Sequence, residues 1–294
     1  MDRVLLSFFF LTFLASCSDN TFLEDKIFAG GVVATKEELN SGKVTYTEYC
    51  MACHGVNGDG KGVASKGLSV PPRNFTKGIF KFGKVTSGEL PHDQHLIYII
   101  KNGLAGSGML KWDVSEKQAS NVVQYIKTFA PNVWEGADKK LGVEHIPTKD
   151  PYGEAYKDSA IERGKEVYHM IANCQSCHRA YATKDELEQM SQKVNGKKYA
   201  DYDPSIYDLK PQEGEYPAKN LPPDFTWHPI RSAFTVEELW VRLASGVGGS
   251  TMPSWKGTLE DDDIWAVSYY VKSLMDLKDT KERKVLMDRI EKSL

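Results

Sequence analysis

The chain has 294 residues and a mass of 33.0 kDa; 41% of its residues are hydrophobic and 26% are charged. These fractions are typical of globular proteins and exclude a wholly disordered or collagen-like chain. The net charge of -3 argues against nucleic acid as a main partner, because proteins that bind it usually carry a basic excess. Five cysteines are too few for a dense disulfide scaffold, and the length favours two domains.

The first element in chain order is an apolar run over residues 4–14. It is too short to span a bilayer, which takes about 20 helical residues, but it fits the core of a secretory signal. The run leads into LASC, which resembles a bacterial lipobox; the resemblance implies removal of residues 1–16 and lipidation of Cys17. We therefore expect a periplasmic protein anchored to the inner or outer membrane, with residues 17–35 as a tether. The alternative is a plain signal whose cleaved part includes Cys17.

The other four cysteines form two copies of the motif C-x-x-C-H, CMACH at 50–54 and CQSCH at 174–178. This spacing is typical of covalent haem attachment, in which two thiols add to the vinyl groups of one porphyrin and the adjacent histidine ligates its iron. The motif therefore predicts two haem c groups, with His54 and His178 as iron ligands. The predicted attachment residues are the cysteines of both motifs: Cys50, Cys53, Cys174 and Cys177.

Three other interpretations of these cysteines remain open. The two pairs could bind one zinc ion, one pair could be a thioredoxin-like redox site, or both could be structural disulfides. The pairs are far apart in the sequence, each is followed by histidine, and the chain shows little strand patterning. Haem attachment is therefore the favoured interpretation.

An internal repeat extends beyond the two motifs. At an offset of 143 residues, the segment 95–112 matches the segment 238–255 in its leucine, glycine, serine, methionine and tryptophan positions. Upstream, PPRNFT at 71–76 corresponds to PPDFT at 222–226. Each half thus contains a helix that leads into the cysteine motif, a proline-rich loop, a helix, a glycine-rich loop with methionine, and a closing helix. The repeat predicts one all-α unit used twice.

Helical periodicity predicts a helix over residues 36–50 and its partner over 115–129. Gly42 and Tyr46 lie four residues apart on one face of the first helix, where a small residue beside a ring lets another helix cross closely. The second half repeats this pair four residues apart, but its tyrosine lies six residues before the cysteine motif instead of four. This shift leaves open whether the second crossing matches the first.

Each glycine-rich loop ends in a methionine, Met109 in LAGSGM and Met252 in VGGSTM. Glycine lets the backbone pass close to a flat group, and a thioether is a common second axial ligand of haem iron. We therefore expect Met109 and Met252 to be axial ligands; the alternative is that each fills space in the core. Iron with both axial positions filled has little room for a substrate, so it gains and loses single electrons. His169 and His228 lie near the second motif, and a second haem ligated by two histidines would weaken this interpretation.

The motifs CMACH, PPRNFT, GSGMLKW, CQSCH, PPDFT and GSTMPSW, in this order, resemble those of bacterial dihaem cytochromes built from two class I cytochrome c domains. The resemblance covers residues 36–130 and 160–276. It implies an all-α fold around each haem, histidine–methionine ligation of each iron, and electron transfer in the periplasm. It also implies that Pro72 and Pro223 are the loop prolines whose carbonyl groups orient the ligand histidines.

The domain boundaries follow from the repeat and its composition. We expect cytochrome c domains at 36–131 and 159–277, joined by a proline-rich linker at 132–158. The second domain carries an insertion at about 180–220. We expect this insertion to be a solvated excursion with a short helix; the alternatives are that it covers a haem edge or docks a partner. Residues 278–294 are predicted to form a C-terminal surface helix.

The predicted function is transfer of single electrons between respiratory-chain partners, such as a membrane quinol-oxidising complex and a terminal oxidase or reductase. The alternatives are a dihaem peroxidase, a haem-bearing subunit of a larger oxidoreductase complex, and a haem-based gas or redox sensor. A peroxidase needs one iron with an open sixth position, whereas both halves of this chain have a methionine loop. The predicted fold class is all-α, with two tandem class I cytochrome c-like domains.

Overall fold

A computed structural model describes residues 21–199, 202–216 and 218–294. The predicted signal at 1–16 and the predicted lipidation site Cys17 lie outside these residues. The described chain is mostly helical and forms two units, which confirms the predicted all-α class. The first unit comprises residues 21–135, and the second comprises the described residues from 157 onward. In the part of the chain that the structure covers, no helix has both the length and the apolar character needed to cross a membrane.

The first unit begins with a two-stranded antiparallel hairpin of β1 (Lys26–Phe28) and β2 (Val32–Ala34). Helices follow it in the order α1 (Lys36–Tyr49), α2 (Met51–His54), α3 (Asp93–Asn102), α4 (Glu116–Lys127) and α5 (Pro131–Trp134). The helices of the second unit are α6 (Lys157–Glu166), α7 (Lys184–Asn195), α8 (Val236–Ser245), α9 (Asp261–Met275) and α10 (Lys281–Glu291).

Each unit is built around one hydrophobic cluster. The first cluster joins α1, α3 and α4, and the second joins α6, α8 and α9. Members of the first cluster include Tyr46, Phe75, Leu96 and Val122. Members of the second include Tyr168, Leu239, Trp240 and Trp265.

Side-chain caps fix where the helices begin. The Thr35 hydroxyl accepts a hydrogen bond from the backbone N–H of Glu38, whose carboxylate accepts one from the Thr35 N–H in return. Ser115 and Gln118 form the same reciprocal pair at the start of α4. Such capping boxes satisfy N–H groups that have no partner within the helix. They place α1 and α4 where the periodicity predicts them.

The central helix crossings of the two units are equivalent. Helix α1 crosses α4 so closely that a Cβ atom on Gly42 would lie 2.1 Å from the carbonyl oxygen of Asn121. Helix α6 crosses α9 in the same way, and a Cβ atom on Gly164 would lie 2.0 Å from the carbonyl oxygen of Ala266. Only glycine permits these two backbones to touch, so the repeat extends to the packing of its helices.

The two-residue shift in the second half is absorbed by a π-helical turn, Val167–Ile171, which follows α6. A π-turn accommodates extra residues within a helix, so the chain returns to the equivalent place. The Tyr46 hydroxyl donates to the carbonyl of Gly55 at 2.6 Å, and the Tyr168 hydroxyl donates to the carbonyl of Arg179 at 2.7 Å. Each of these carbonyls belongs to the residue after a motif histidine.

The structure differs from the predicted tether. Its described part, residues 21–35, folds onto the first unit, with Phe28 fully buried beside Trp134. The backbone N–H and carbonyl of Phe22 each form a 2.9 Å hydrogen bond with the side chain of Asn40 in α1. The chain is therefore fixed to the first unit from residue 22 onward. Strands of three residues are too short to show a period, and this is why the sequence does not reveal the hairpin.

The connection between the units lies along both of them. In the first unit, the N–H of Gly142 donates to the carbonyl of Leu90 at 2.9 Å. In the second, the Tyr269 hydroxyl donates to the Asp150 carboxylate at 2.6 Å. Residues 135–150 are thus attached at both ends.

The insertion is packed, which corrects the expectation of a solvated excursion. Helix α7 and the short 3₁₀ turn Pro204–Tyr207 form a separate cluster with Ile290 of α10, which is fully buried. Farther along, Gln212 and Asn220 pair through two backbone hydrogen bonds of 2.7 and 2.8 Å. The described residues from Gln212 to Asn220 are called the closing hairpin. Its residues Tyr216 and Asn220 contact Arg73 and Lys81 of the first unit, so the hairpin lies between the two units.

Candidate functional site

The two cysteine pairs lie in different units, and none of these four cysteines forms a disulfide. Cys50 packs against the first cluster and Cys174 against the second, so the pairs do not converge on one zinc ion. No group of three or more histidine, cysteine or acidic side chains among the described residues could hold a metal ion. Burial raises the pKa of Cys50 and of Cys174 to about 12, opposite to the lowered pKa of a thioredoxin-like thiol.

His54 is buried, and its ring is held on two sides. Its Nδ1 lies 2.9 Å from the carbonyl oxygen of Arg73, and since a carbonyl can only accept, Nδ1 carries the proton. The ring stacks on Phe75 with centroids 4.4 Å apart and planes inclined by 21°. Burial lowers the pKa of His54, so the ring is neutral. This tautomer leaves Nε2 with a lone pair that can bind a metal.

His178 has the same setting in the second unit. Its ring stacks on Phe225 with centroids 4.8 Å apart and the same inclination of 21°. The pKa of His178 is lowered to about 4, because the effect of burial outweighs that of the Pro223 carbonyl, which raises the pKa. Within the described residues its buried Nδ1 meets no partner at normal hydrogen-bond geometry. The contact with Pro223 is therefore looser than that of His54 with its carbonyl.

The residue that carries the orienting carbonyl differs between the two loops. Arg73 and Pro223 are equivalent, because each lies two residues before the stacked aromatic ring. The carbonyl that binds His54 belongs to Arg73, so the assignment of this role to Pro72 is wrong. The first loop has one more residue than the second between its proline pair and its aromatic ring. The carbonyl of Pro72 therefore lies against Gly60, and a Cβ atom added to Gly60 would be 2.8 Å from the Pro72 oxygen.

The two methionine loops share one hydrogen-bond pattern. The N–H of Leu104 donates to the carbonyl of Met109 at 2.8 Å, and that of Val247 donates to the carbonyl of Met252 at 3.2 Å. The serine two residues before each methionine accepts from the methionine N–H, at 3.2 and 3.3 Å. Met109 packs against the first cluster and Met252 against the second. In each unit, the structure thus brings the cysteine motif and the methionine to the same cluster.

His169 is engaged by the backbone at both ring nitrogens. Its Nδ1 donates to the carbonyl of Lys165 at 2.8 Å, and its Nε2 accepts from the N–H of Tyr181 at 3.2 Å. His169 is therefore not free to ligate a metal in this arrangement. The Nδ1 of His228 accepts from the N–H of Asp224 at 3.0 Å, which helps to hold the proline-rich loop of the second unit.

The two units meet through equivalent segments. Gly106 in the first methionine loop lies against Pro229, whose ring would be 2.5 Å from an added Cβ. Its counterpart Gly249 in the second loop lies against Ile79, at 2.8 Å. Ile79 and Pro229 each follow the stacked aromatic ring of their unit by four residues. The packing is thus approximately two-fold, with each methionine loop facing the segment after the proline-rich loop of the other unit.

Polar contacts across this interface hold the second methionine loop to the first unit. The N–H of Gly248 donates to the carbonyl of Lys81 at 3.1 Å. The buried guanidinium of Arg242 donates to the carbonyls of Phe82 and Gly83 at 3.3 and 3.1 Å. The sequence does not predict these contacts, because the repeat describes each unit but not how the units meet.

Two comparisons with known proteins agree with this arrangement. A family model described as cytochrome C oxidase, cbb3-type, subunit III, matches residues 37–126 and again residues 159–271. Among solved structures, a chain of the Kuenenia stuttgartiensis reducing HAO-like protein complex Kustc0457/Kustc0458 is similar, with a TM-score of 0.62 and 29% sequence identity. The match covers 80% of this chain and 95% of that one. No curated protein matches the chain.

Proposed function

Because this chain belongs to the cytochrome c family described as cbb3-type cytochrome c oxidase subunit III, with one matched domain in each half, we propose that it is a dihaem electron carrier. Each half binds one haem c through its cysteine pair. His54 and Met109 would hold the iron of the first haem, and His178 and Met252 would hold that of the second. The carrier passes single electrons and has no catalytic residue of its own.

The observation that supports this proposal is that one arrangement of side chains is built twice. His54 is buried and His178 is partly buried; both are neutral, and each stacks on an aromatic ring from the proline-rich loop. Each unit adds a methionine loop of the same backbone pattern on the same cluster. Such a neutral imidazole and a thioether form the donor set that haem iron accepts.

The bound haem iron supplies the one-electron chemistry, and the residues of the chain set its conditions. The carbonyl of Arg73 keeps Nδ1 of His54 protonated, which makes Nε2 the more basic nitrogen. Phe75 and Phe225 fix the planes of the two imidazole rings. With a methionine loop in each unit, neither site offers an open position to a substrate, which favours a carrier over a peroxidase.

Mass spectrometry of the purified protein should find two covalently bound haems. Met109→Ala and Met252→Ala should each abolish the red charge-transfer absorption of one ferric haem and lower the reduction potential of that haem alone. Met287→Ala in α10 is the matched control and should leave the spectra unchanged. A single haem, or spectra that neither loop variant changes, would contradict the proposal. Fast turnover of peroxide by the reduced protein would favour the dihaem peroxidase instead.

The proposed location is the periplasm, with a lipid anchor at Cys17. The apolar run at 4–14 and the lipobox-like sequence after it support this location. The proposed partners are a membrane quinol-oxidising complex on one side and a terminal oxidase or reductase on the other. Cys17→Ser should release the protein from the membrane fraction, and continued retention of this variant would remove the anchor from the proposal.

A second candidate function is that of a subunit in a larger redox complex. The similar chain from Kuenenia stuttgartiensis belongs to a protein complex, and this chain matches 95% of its length. Size-exclusion chromatography of gently solubilised membranes distinguishes the two. A mobile carrier elutes alone, whereas a subunit elutes together with defined partner chains.

A further inference from the structure

A group of cations lies where the two units meet. Arg73 and Lys81 come from the first unit and Arg231 comes from the second; together they are called the central cationic cluster. Tyr216, from the closing hairpin of the insertion, lies against it. The Arg73 guanidinium carbon is 4.0 Å from the centre of the Tyr216 ring, and the Lys81 Nζ is 4.6 Å from it.

The cluster follows from the repeat. Lys81 and Arg231 occupy the same position in their units, because each lies six residues after the stacked aromatic ring. The approximate two-fold packing brings these equivalent cations close enough for the charge of Arg231 to lower the pKa of Lys81. Arg73 also belongs directly to the first site, since its carbonyl binds His54. The cluster is therefore adjacent to the first site and joined through Arg231 to the loop of the second.

No anion in the described chain balances these charges. None of the three cations forms an ion pair with a described carboxylate. Burial, together with the charges of Arg73 and Arg231, lowers the pKa of Lys81 to about 8. Burial also lowers the pKa of both arginines, while it raises that of Tyr216, which stays neutral. Like charges partly removed from water cost free energy unless an anion joins them.

A second observation points to the same missing group. The side-chain oxygen of Asn220 accepts a hydrogen bond from Lys81, which places the amide of Asn220 at the cluster. Its Nδ2 is buried and has no hydrogen-bond partner among the described residues. A buried donor without an acceptor is rare in folded proteins. An acceptor that carries negative charge would satisfy this N–H₂ group and would also balance the three cations beside it.

We propose that the central cationic cluster binds carboxylates, namely the propionate groups of the two haems, so that one anion site serves both units. The inference rests on the proposed function. Guanidinium groups match carboxylates in shape and charge, and the amide of Asn220 adds a further donor. Because a negative charge near the iron favours the ferric state, the cluster raises the reduction potential by offsetting that charge. Arg231 acts in this way on both haems, although it belongs to one unit.

Spectroelectrochemical titration of the full protein with both haems tests the inference. Arg231→Gln should shift both reduction potentials to lower values, because one shared positive charge is removed. Arg231→Lys keeps the charge and should leave both potentials close to those of the parent. Lys117→Gln removes an exposed cation from α4 and is the matched control for loss of charge alone. Lys81→Gln repeats the test from the first unit and should shift the potentials in the same direction.

Each contrary outcome has a distinct meaning. Unchanged potentials in both glutamine variants, with two haems and the methionine absorption intact, would overturn the inference and leave the proposed function standing. A shift confined to the haem of the substituted unit would overturn the shared site. Potentials of the parent that move with added inorganic phosphate would show that a free anion fills the cluster, which would also overturn it. Fewer than two bound haems in the parent would instead overturn the proposed function.

Discussion

At the residue scale, the two proline-rich loops reach one conformation with different side chains. The side-chain oxygen of Asn74 accepts from the N–H of Thr76 at 2.9 Å, and that of Asp224 accepts from the N–H of Thr226 at the same distance. Either side chain can cap a turn in this way. Asp224 is also buried and accepts from the hydroxyl of Tyr181 at 3.1 Å. The second loop is thus joined to the insertion, whereas the cap of the first loop lies at the surface.

The buried His169 makes the stability of the protein depend on pH. Burial lowers its pKa from 6.5 to about 4, so the unfolded chain binds a proton at pH values at which the folded protein does not. The free energy of unfolding should therefore be highest above pH 6.5 and fall as the pH drops toward 4, by about 2 kcal/mol between pH 7 and pH 5. Urea unfolding at both pH values measures this loss. His169→Gln cannot bind the proton and should lose this part of the pH dependence; an unchanged dependence would contradict the prediction.

The hydroxyl of the buried Tyr168 donates to the partly buried carbonyl of Arg179 next to the second motif. Tyr168→Phe leaves that carbonyl without its donor and should lower the free energy of unfolding by about 1–2 kcal/mol. Thermal unfolding of the variant gives the change. Tyr98→Phe is the control, since Tyr98 is 47% exposed and its hydroxyl can bind water instead. Equal losses in the two variants would show that the buried hydrogen bond adds nothing.

At the scale of elements, the helix crossings depend on the absence of a side chain at one position. Gly164 touches the carbonyl of Ala266, and this contact holds α6 and α9 at their closest approach. The same contact in the first unit involves Gly42, which shows that the crossing belongs to the repeated unit. The cysteine motif follows each crossing helix, so the crossing also positions the motif.

Gly164→Ala should push α6 away from α9, since its Cβ would lie 2.0 Å from a carbonyl oxygen that cannot move alone. The expected loss in the free energy of unfolding is about 3 kcal/mol, as for an overpacked core. Gly67→Ala is the matched control, because a Cβ atom there meets nothing within 4 Å. Chemical denaturation compares the two variants. A loss no larger than that of the control would mean that the crossing can widen freely.

Much of this element structure is predictable from the sequence. Ser115 and Gln118 carry their capping signal locally, and the spacing of Gly42 and Tyr46 reports a helix face directly. The glycine-rich loops repeat serine and methionine at fixed positions, and their shared hydrogen-bond pattern matches that repeat. These features depend on residues near one another in the chain.

Other features depend on contacts between distant residues, and the sequence does not predict them. The spacing of Tyr168 from the second motif shows that two extra residues must be accommodated, but it does not show that a π-turn at Val167–Ile171 accommodates them. The carbonyl that orients His54 is displaced by one residue because the two proline-rich loops differ in length. The hairpin at residues 26–34 and the packed insertion are stabilised by surfaces that other segments provide.

At the scale of the whole molecule, the repeated units form a single assembly through their approximate two-fold interface. Helix α8 contributes Arg242, whose buried guanidinium binds two carbonyls of the first unit. The linker and the closing hairpin bridge the same two units from other sides. The position of one candidate haem site relative to the other is therefore fixed by several independent contacts.

Arg242→Met removes the hydrogen bonds to the carbonyls of Phe82 and Gly83. The free energy needed to separate the two units should therefore fall by about 2 kcal/mol. Separation exposes the linker, so trypsin should cut the variant at Lys140 and Lys149 roughly thirty times faster than the parent. Limited proteolysis followed by mass spectrometry measures the rate at each site. Arg289→Met in α10 removes an arginine that is half exposed, and its cleavage rate should equal that of the parent. Equal rates in all three proteins would refute this role of Arg242.

The docking of Phe22 onto α1 has a consequence for how the protein finds its partners. Phe22 lies five positions after Cys17, and this stretch spans at most about 18 Å when fully extended. With the proposed lipid on Cys17, Phe22 stays within that distance of the bilayer surface. The first unit is then closer to the membrane along the chain than the second. The protein's search for donors and acceptors then becomes lateral diffusion in a plane with restricted tumbling, so encounter rates depend on the crowding of the membrane surface.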